Sequence, residues 1–274
     1  MRMLVVDAFT DRPFAGNPAG VCLLPGRDRD DAADPAWMRR VAAEMKHSET
    51  AFVRPAGDPD ADFELRWFTP LTEVALCGHA TLAAAHALFD TGTAGPGAPI
   101  RFRTLHSGVL TVRRDAGGLS MDFPAVPPEP IDVPDGLAAA LGARLRWAGR
   151  NAQNDVLAEV ADEAAVRALV PDVAALAAVD ARGVIVTAPA GEDAGHDFVS
   201  RFFAPRVLPG DGEDPVTGSA HCALAPFWAA RTGRAALTGY QASARGGLVR
   251  VAPRGDRVVL SGSAVIVLDG TFRG

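Results

Sequence analysis

What most restricts the folds open to this chain is an internal repeat with a period of about half its 274 residues. The first half carries Arg66-Trp-Phe-Thr-Pro70, then Glu73-Val-Ala-Leu-Cys-Gly-His-Ala80, then small residues ending at Thr91-Gly92. The second carries Arg201-Phe-Phe-Ala-Pro205, then Glu213-Asp-Pro-Val-Thr-Gly-Ser-Ala220, then a similar run ending at Thr232-Gly233. Glu213 follows Glu73 by 140 positions, and Gly218 follows Gly78 by the same 140. The two arginines lie 135 apart, so the second copy has a slightly longer loop. A period this long describes a duplicated domain, whereas solenoid repeats run to roughly 20–50 residues.

In each copy the glycine opens a helix. The stretches from His79 to Phe89 and from Ser219 to Trp228 are apolar nearly all round, as in a helix buried on every side. Pro226 predicts a kink in the second, and Gly92 and Gly233 stand where C-terminal caps belong. Strand-like segments surround both helices: Met3 to Phe9, Ala19 to Leu24, Thr50 to Val53 and Phe63 to Phe68, then Val156 to Val160 and Gly183 to Thr187. Asp34 and Pro35 open a further helix reaching Met45, and another runs from Glu163 to Leu169. These strands are too numerous and too turn-separated for a doubly wound sheet. The expected fold is α+β, with two pseudo-symmetric domains, each a small barrel-like sheet around a central helix. The domains are expected at 1–124 and 125–274, with the extreme C-terminus packing back on the first. Four prolines between Ala125 and Pro134 suggest the interdomain linker.

Composition removes several classes of function. With 33 acidic and 27 basic side chains, a net charge of -6 and no Lys/Arg cluster, a nucleic-acid partner is not expected. No run approaches the ~20 apolar residues of a membrane helix. Asp7 interrupts the apolar opening, so a secretory leader is not expected. Three cysteines, Cys22, Cys77 and Cys222, cannot all pair, which fits a reducing cytoplasm. A cytoplasmic enzyme or small-molecule binder is left.

The two glycine turns carry the chemistry. A helix N-terminus presents unpaired N–H groups and about half a positive charge, and Gly78 or Gly218 lets a ligand approach them closely. The pair suits a small carboxylic acid. Ser48 and Glu49 lie between a helix and an apolar strand, where partial desolvation would raise the glutamate pKa toward a range useful for proton transfer. A solvated strand-end glutamate is the alternative. His79 reads as a proton relay or as a cap of its own helix, and Ser219 as a helix cap or a donor to substrate. Of Glu213 and Asp214, one is expected in solvent and the other turned inward. There is no G-x-G-x-x-G after a strand, no P-loop and no G-x-S-x-G. No histidine pair or second ligand pair has zinc-site spacing, so neither metal nor cofactor is expected.

Together these residues resemble one family, the phenazine-biosynthesis (PhzF-like) isomerases, which share the diaminopimelate-epimerase-like fold. The resemblance spans nearly the whole chain. It rests on Asp7-Ala-Phe-Thr10 with Phe14-Ala-Gly-Asn-Pro18, Glu44-Met-Lys-His-Ser-Glu-Thr-Ala-Phe-Val53, Arg66-Trp-Phe-Thr-Pro70, Cys77-Gly-His-Ala-Thr81, Arg201-Phe-Phe-Ala-Pro205 and Glu213 to Ala220. It implies a homodimer without a cofactor, Glu49 as the acid/base, and His79, Asp214 and Ser219 as substrate-contacting and proton-handling residues beside Gly78 and Gly218. The best known member isomerises trans-2,3-dihydro-3-hydroxyanthranilate. Lys46-His47 departs from the Asn-Leu of many members, which leaves the substrate open. Racemases of the same fold use two opposed thiols. Here Thr217 stands where a second thiol would match Cys77, so that chemistry is not expected and Cys77 reads as a packed remnant. A silent carboxylate-binding protein is the rival from another class.

Overall fold

The computed structural model describes residues 1–26, 34–57, 59–95, 97–115, 117–208 and 210–273. They form two compact units, Met1–Asp122 with Ser261–Gly274, and Phe123–Leu260.

The first unit begins with β1 (Arg2–Ala8) and β2 (Asn17–Leu23), an antiparallel pair. Helix α1 (Pro35–Met45) follows, its first turn capped by the Asp34 carboxylate, which accepts from the N–H groups of Ala36 and Trp37. Then come β3 (Thr50–Pro55), β4 (Phe63–Phe68), the short β5 (Glu73–Val74), α2 (Gly78–Asp90), β6 (Ile100–Arg103), β7 (Val109–Asp115) and β8 (Gly118–Pro124). β3 pairs parallel with β2 and antiparallel with β4, while β5 and β6 share the other edge of β4. The chain therefore leaves β4, starts α2 and returns parallel to the strand it left. Ten of the thirteen α2 residues are buried, and the helix packs on β1, β2 and β3. On α1, Met38, Val41 and Ala42 recur at helical spacing and pack with Met3, Phe52 and Phe68.

The second unit contains β9 (Glu129–Pro130), α3 (Leu137–Leu141), β10 (Trp147–Arg150), β11 (Asp155–Glu159), α4 (Glu163–Arg167) and α5 (Val173–Ala178). It continues with β12 (Gly183–Pro189), β13 (Phe198–Phe203), β14 (Glu213–Asp214), α6 (Gly218–Thr232), β15 (Leu237–Gln241), β16 (Gly247–Arg254) and β17 (Arg257–Gly262). The pairing scheme repeats: β12 lies parallel to β11 and antiparallel to β13, and β14 and β15 share an edge of β13. β18 (Ala264–Thr271) pairs antiparallel with β1, so the final residues belong to the first unit and the second ends at Leu260.

One local expectation changes. The proline-rich segment is not a free linker but part of the second unit, where β9 forms an edge strand on β10. Edge positions tolerate proline because no ladder donor is needed there. α6 also continues past Pro226 to Thr232. Proline cannot supply the N–H that would bond the carbonyl of Cys222, four residues back. That carbonyl instead accepts from the Val126 N–H of the proline-rich segment at 3.2 Å.

Candidate active site

Glu49 is set in place by the end of α1. Lys46 caps that helix in the left-handed conformation, φ 57°, with its N–H bonded to the Ala42 carbonyl. The turn that follows delivers Ser48 and Glu49 to the start of β3, where the Glu49 carbonyl accepts from the Gly20 N–H at 3.3 Å. The carboxylate then lies 3.5 Å from His79 Nε2, with only 16% of the glutamate side chain and 6% of the histidine exposed. Ser48 Oγ is also 3.5 Å from His79 Nε2. On the far side of the imidazole, Cys77 Sγ lies 3.5 Å from Nδ1. Burial pushes the Glu49 pKa up, opposed in part by hydrogen bonds from Ser48 and Cys77. Glu49 is thus not a solvated strand-end residue, and Cys77 does more than pack, since its thiol contacts both His79 and Glu49.

Glu49, Cys77 and His79 offer a carboxylate, a sulfur and an imidazole nitrogen within 4.8 Å of one another, donors that a zinc-like ion accepts. The thiol and the carboxylate each lie against a different nitrogen of the same imidazole.

The second unit holds the remaining predicted residues. Asp214 Oδ2 accepts from Thr217 Oγ1 at 2.6 Å. Gln241 ties this pair down, donating from Nε2 to the Asp214 carbonyl at 2.7 Å and accepting the Thr217 N–H on Oε1 at 2.9 Å. The expectation that one of Glu213 and Asp214 lies in solvent is corrected. Neighbouring strand residues face opposite ways, and Glu213 forms a bidentate pair with Arg201 on its own side, at 2.7 and 2.8 Å. Ser219 is not the cap of α6. It lies inside the first turn and accepts from Arg182 Nη2 at 3.3 Å, while that guanidinium is anchored 2.5 Å from the fully buried Asp155.

Cys77 and Thr217 are the N-cap residues of α2 and α6, and neither helix has a side-chain cap bond. α1, α4 and α5 are each capped by an aspartate, whereas α2, α6 and the short α3, which starts after Gly136, have no side-chain cap. The first turns of α2 and α6 keep the N–H groups an anion would take. The sequence reading missed Gln241 and Arg182, whose roles arise from contacts distant in the chain. Cys77 had a signal in its Cys-Gly-His spacing.

Comparison with known proteins bears on the fold and the family. The chain matches the "Phenazine biosynthesis-like protein" family, PhzC-PhzF, over residues 6–270. An uncharacterised isomerase of Halalkalibacterium halodurans is 46% identical over 265 residues, covering 96% of this chain and 95% of its own. The crystal structure of a PhzF-family phenazine biosynthesis protein from Enterococcus faecalis aligns with a TM-score of 0.88 at 38% identity, covering 98% and 97% of the two chains. A probable proline racemase from Agrobacterium radiobacter shares the fold, with a TM-score of 0.65 at 13% identity over 99% of this chain and 92% of its own. The fold is therefore the duplicated α+β architecture common to PhzF proteins and racemases. Within that class, this chain belongs to the PhzC-PhzF family.

Proposed function

We propose that the protein is a cofactor-independent isomerase that moves a proton between carbons of a small cyclic carboxylate, with Glu49 as general acid and base. The observation that carries this reading is the burial of Glu49 against His79, Ser48 and Cys77, with its pKa displaced upward. A carboxyl group in that setting can take a proton from carbon and return it near neutral pH. His79 and Asp214 would hold substrate and handle its proton. Ser48, Gly78, Gly218 and Ser219 would be substrate contacts, as the family resemblance implies. Isomerisation of trans-2,3-dihydro-3-hydroxyanthranilate is the reaction it resembles most, in a cytoplasmic homodimer. The isomerase names of relatives such as the Halalkalibacterium protein support the class of reaction.

Solvent-deuterium incorporation into a panel of cyclic carboxylic acids, read by mass spectrometry, tests the reading. Glu49→Gln keeps the shape and should hold KM within about tenfold while lowering turnover at least ~10²-fold, the loss expected for a missing general acid–base. Exchange at the wild-type rate in this variant would remove Glu49 from the mechanism. No exchange by the wild type would favour a silent carboxylate binder.

A further inference from the structure

The imidazole of His79 has a neighbour at each nitrogen, with Cys77 Sγ 3.5 Å from Nδ1 and Glu49 Oε2 3.5 Å from Nε2. Cys77 also hydrogen-bonds the Glu49 carboxylate in the sense that stabilises its charged form. An ionised carboxylate has no proton to give, so that bond takes the thiol's own proton. The sulfur can then only accept from the ring, which places a proton on Nδ1.

We propose that Cys77 is a positioning residue of the site, holding His79 with Nδ1–H directed at its sulfur so that Nε2 is the nitrogen that exchanges a proton with Glu49. This rests on the reading of Glu49 as the acid and base. Two protonation states of the cluster share one framework, in which Nδ1–H donates to Sγ and S–H donates to the carboxyl group. In the first state a proton taken from substrate sits on Glu49 Oε2 and is donated to Nε2. In the second the Oε2–H bond has broken and an Nε2–H bond has formed, leaving an imidazolium beside a carboxylate. Nothing else moves, and the glutamate is free to act again. Burial makes such a choice consequential: Cys77 is 7% exposed and His79 5%, so little water is at hand to hold the ring in either orientation.

Nitrogen NMR of protein labelled with ¹⁵N-histidine reads the tautomer directly, and the His79→Gln spectrum identifies the signals of His79. The wild type should show Nδ1 protonated throughout and Nε2 as the titrating nitrogen. Cys77→Ala should lose that bias and populate the Nε2–H form, while Cys77→Ser, which can still donate and accept, should restore Nδ1–H. In the exchange assay Cys77→Ala should lower turnover about tenfold with KM changed less than twofold, and Cys77→Ser should recover part of it. A wild-type ring protonated mainly on Nε2 would overturn the proposal, as would an Nδ1–H signal unchanged in Cys77→Ala. The tautomer is read without substrate, so a failure of the isomerase reading shows only in the exchange assay and leaves this test decisive.

Discussion

Set side by side, the two units keep one framework and differ at the chemistry. Arg66 pairs with Glu73 and lies over Phe68, as Arg201 pairs with Glu213 and lies over Phe203. Thr81 bonds back to the carbonyl of Cys77, and His221 bonds back to that of Thr217. Strand register extends the match residue by residue. Thr50 is opposite Phe68 and Val184 is opposite Phe203, so Glu49 corresponds to Gly183 and Ser48 to Arg182. By the helix starts, Cys77 corresponds to Thr217 and His79 to Ser219. Where the first unit has a carboxylate and a hydroxyl beside an imidazole, the second has a guanidinium beside a hydroxyl. A carboxylate could not simply be repeated at Gly183, because even a Cβ there would lie 2.4 Å from the Phe202 ring. The shared residues answer demands of the fold, and the proposed site lies among the unshared ones.

The shared ion pair offers the strongest way to break that comparison. Arg201 and Glu213 keep only 12% and 9% of their side chains exposed, against 22% and 21% for Arg66 and Glu73. Removing one partner of a buried pair costs about 3–5 kcal/mol, because a charge is left uncompensated, whereas a more solvated pair contributes about 1 kcal/mol or less. Glu213→Gln should therefore destabilise more than Glu73→Gln in urea unfolding. Equal losses would mean that the two pairs are equivalent despite their burial.

Much of this framework was legible in the sequence because it is written locally. Asp34-Pro35 signals a helix start, and α1 begins there. The all-apolar runs after Gly78 and Gly218 become the two buried helices. What was not legible depends on neighbours far along the chain. Pro226 reads as a helix breaker until Val126 supplies a donor for the carbonyl it strands. Asp214 is fixed by Gln241, 27 residues away, and no local pattern announces that contact. The contact between Cys77 and Glu49 is hidden in the same way, since Glu49 lies in another segment of the unit, and only the Cys77-Gly-His79 spacing is local.

A second difference between the units is testable by pH. His221 is fully buried, and desolvation lowers its pKa to about 4, only partly offset by its bond to the Thr217 carbonyl. In the unfolded chain a histidine titrates near ~6.5, so the folded state binds fewer protons between these values. Stability is then complete above ~6.5 and falls as pH drops toward 4, by on the order of 2–3 kcal/mol. Thr81, at the corresponding place, cannot titrate. His221→Thr, which copies it, should flatten the slope of stability against pH across this window, whatever the mutation costs in packing. An unchanged slope would assign the acid sensitivity elsewhere.

The last effect concerns Glu49 itself and has the opposite sign. Its folded-state pKa is raised, chiefly by burial. Between the ordinary glutamate value of ~4.3 and that raised value, the folded protein binds more protons than the unfolded chain. Stability is therefore greatest below the unfolded value and declines as pH rises through the folded one. Wherever the carboxylate is ionised in the fold, its burial opposes that charge. Glu49→Gln removes the charge and keeps the shape. It should be more stable than the wild type at pH 7, with the gap closing below about pH 4, where both proteins carry a neutral side chain. Hydrogen bonds from Ser48 and Cys77 offset part of the desolvation and so limit the gain. Urea unfolding of both proteins across this range measures it. A variant less stable at pH 7 and equally so at pH 4 would show that the glutamate is held by its contacts rather than opposed by its burial.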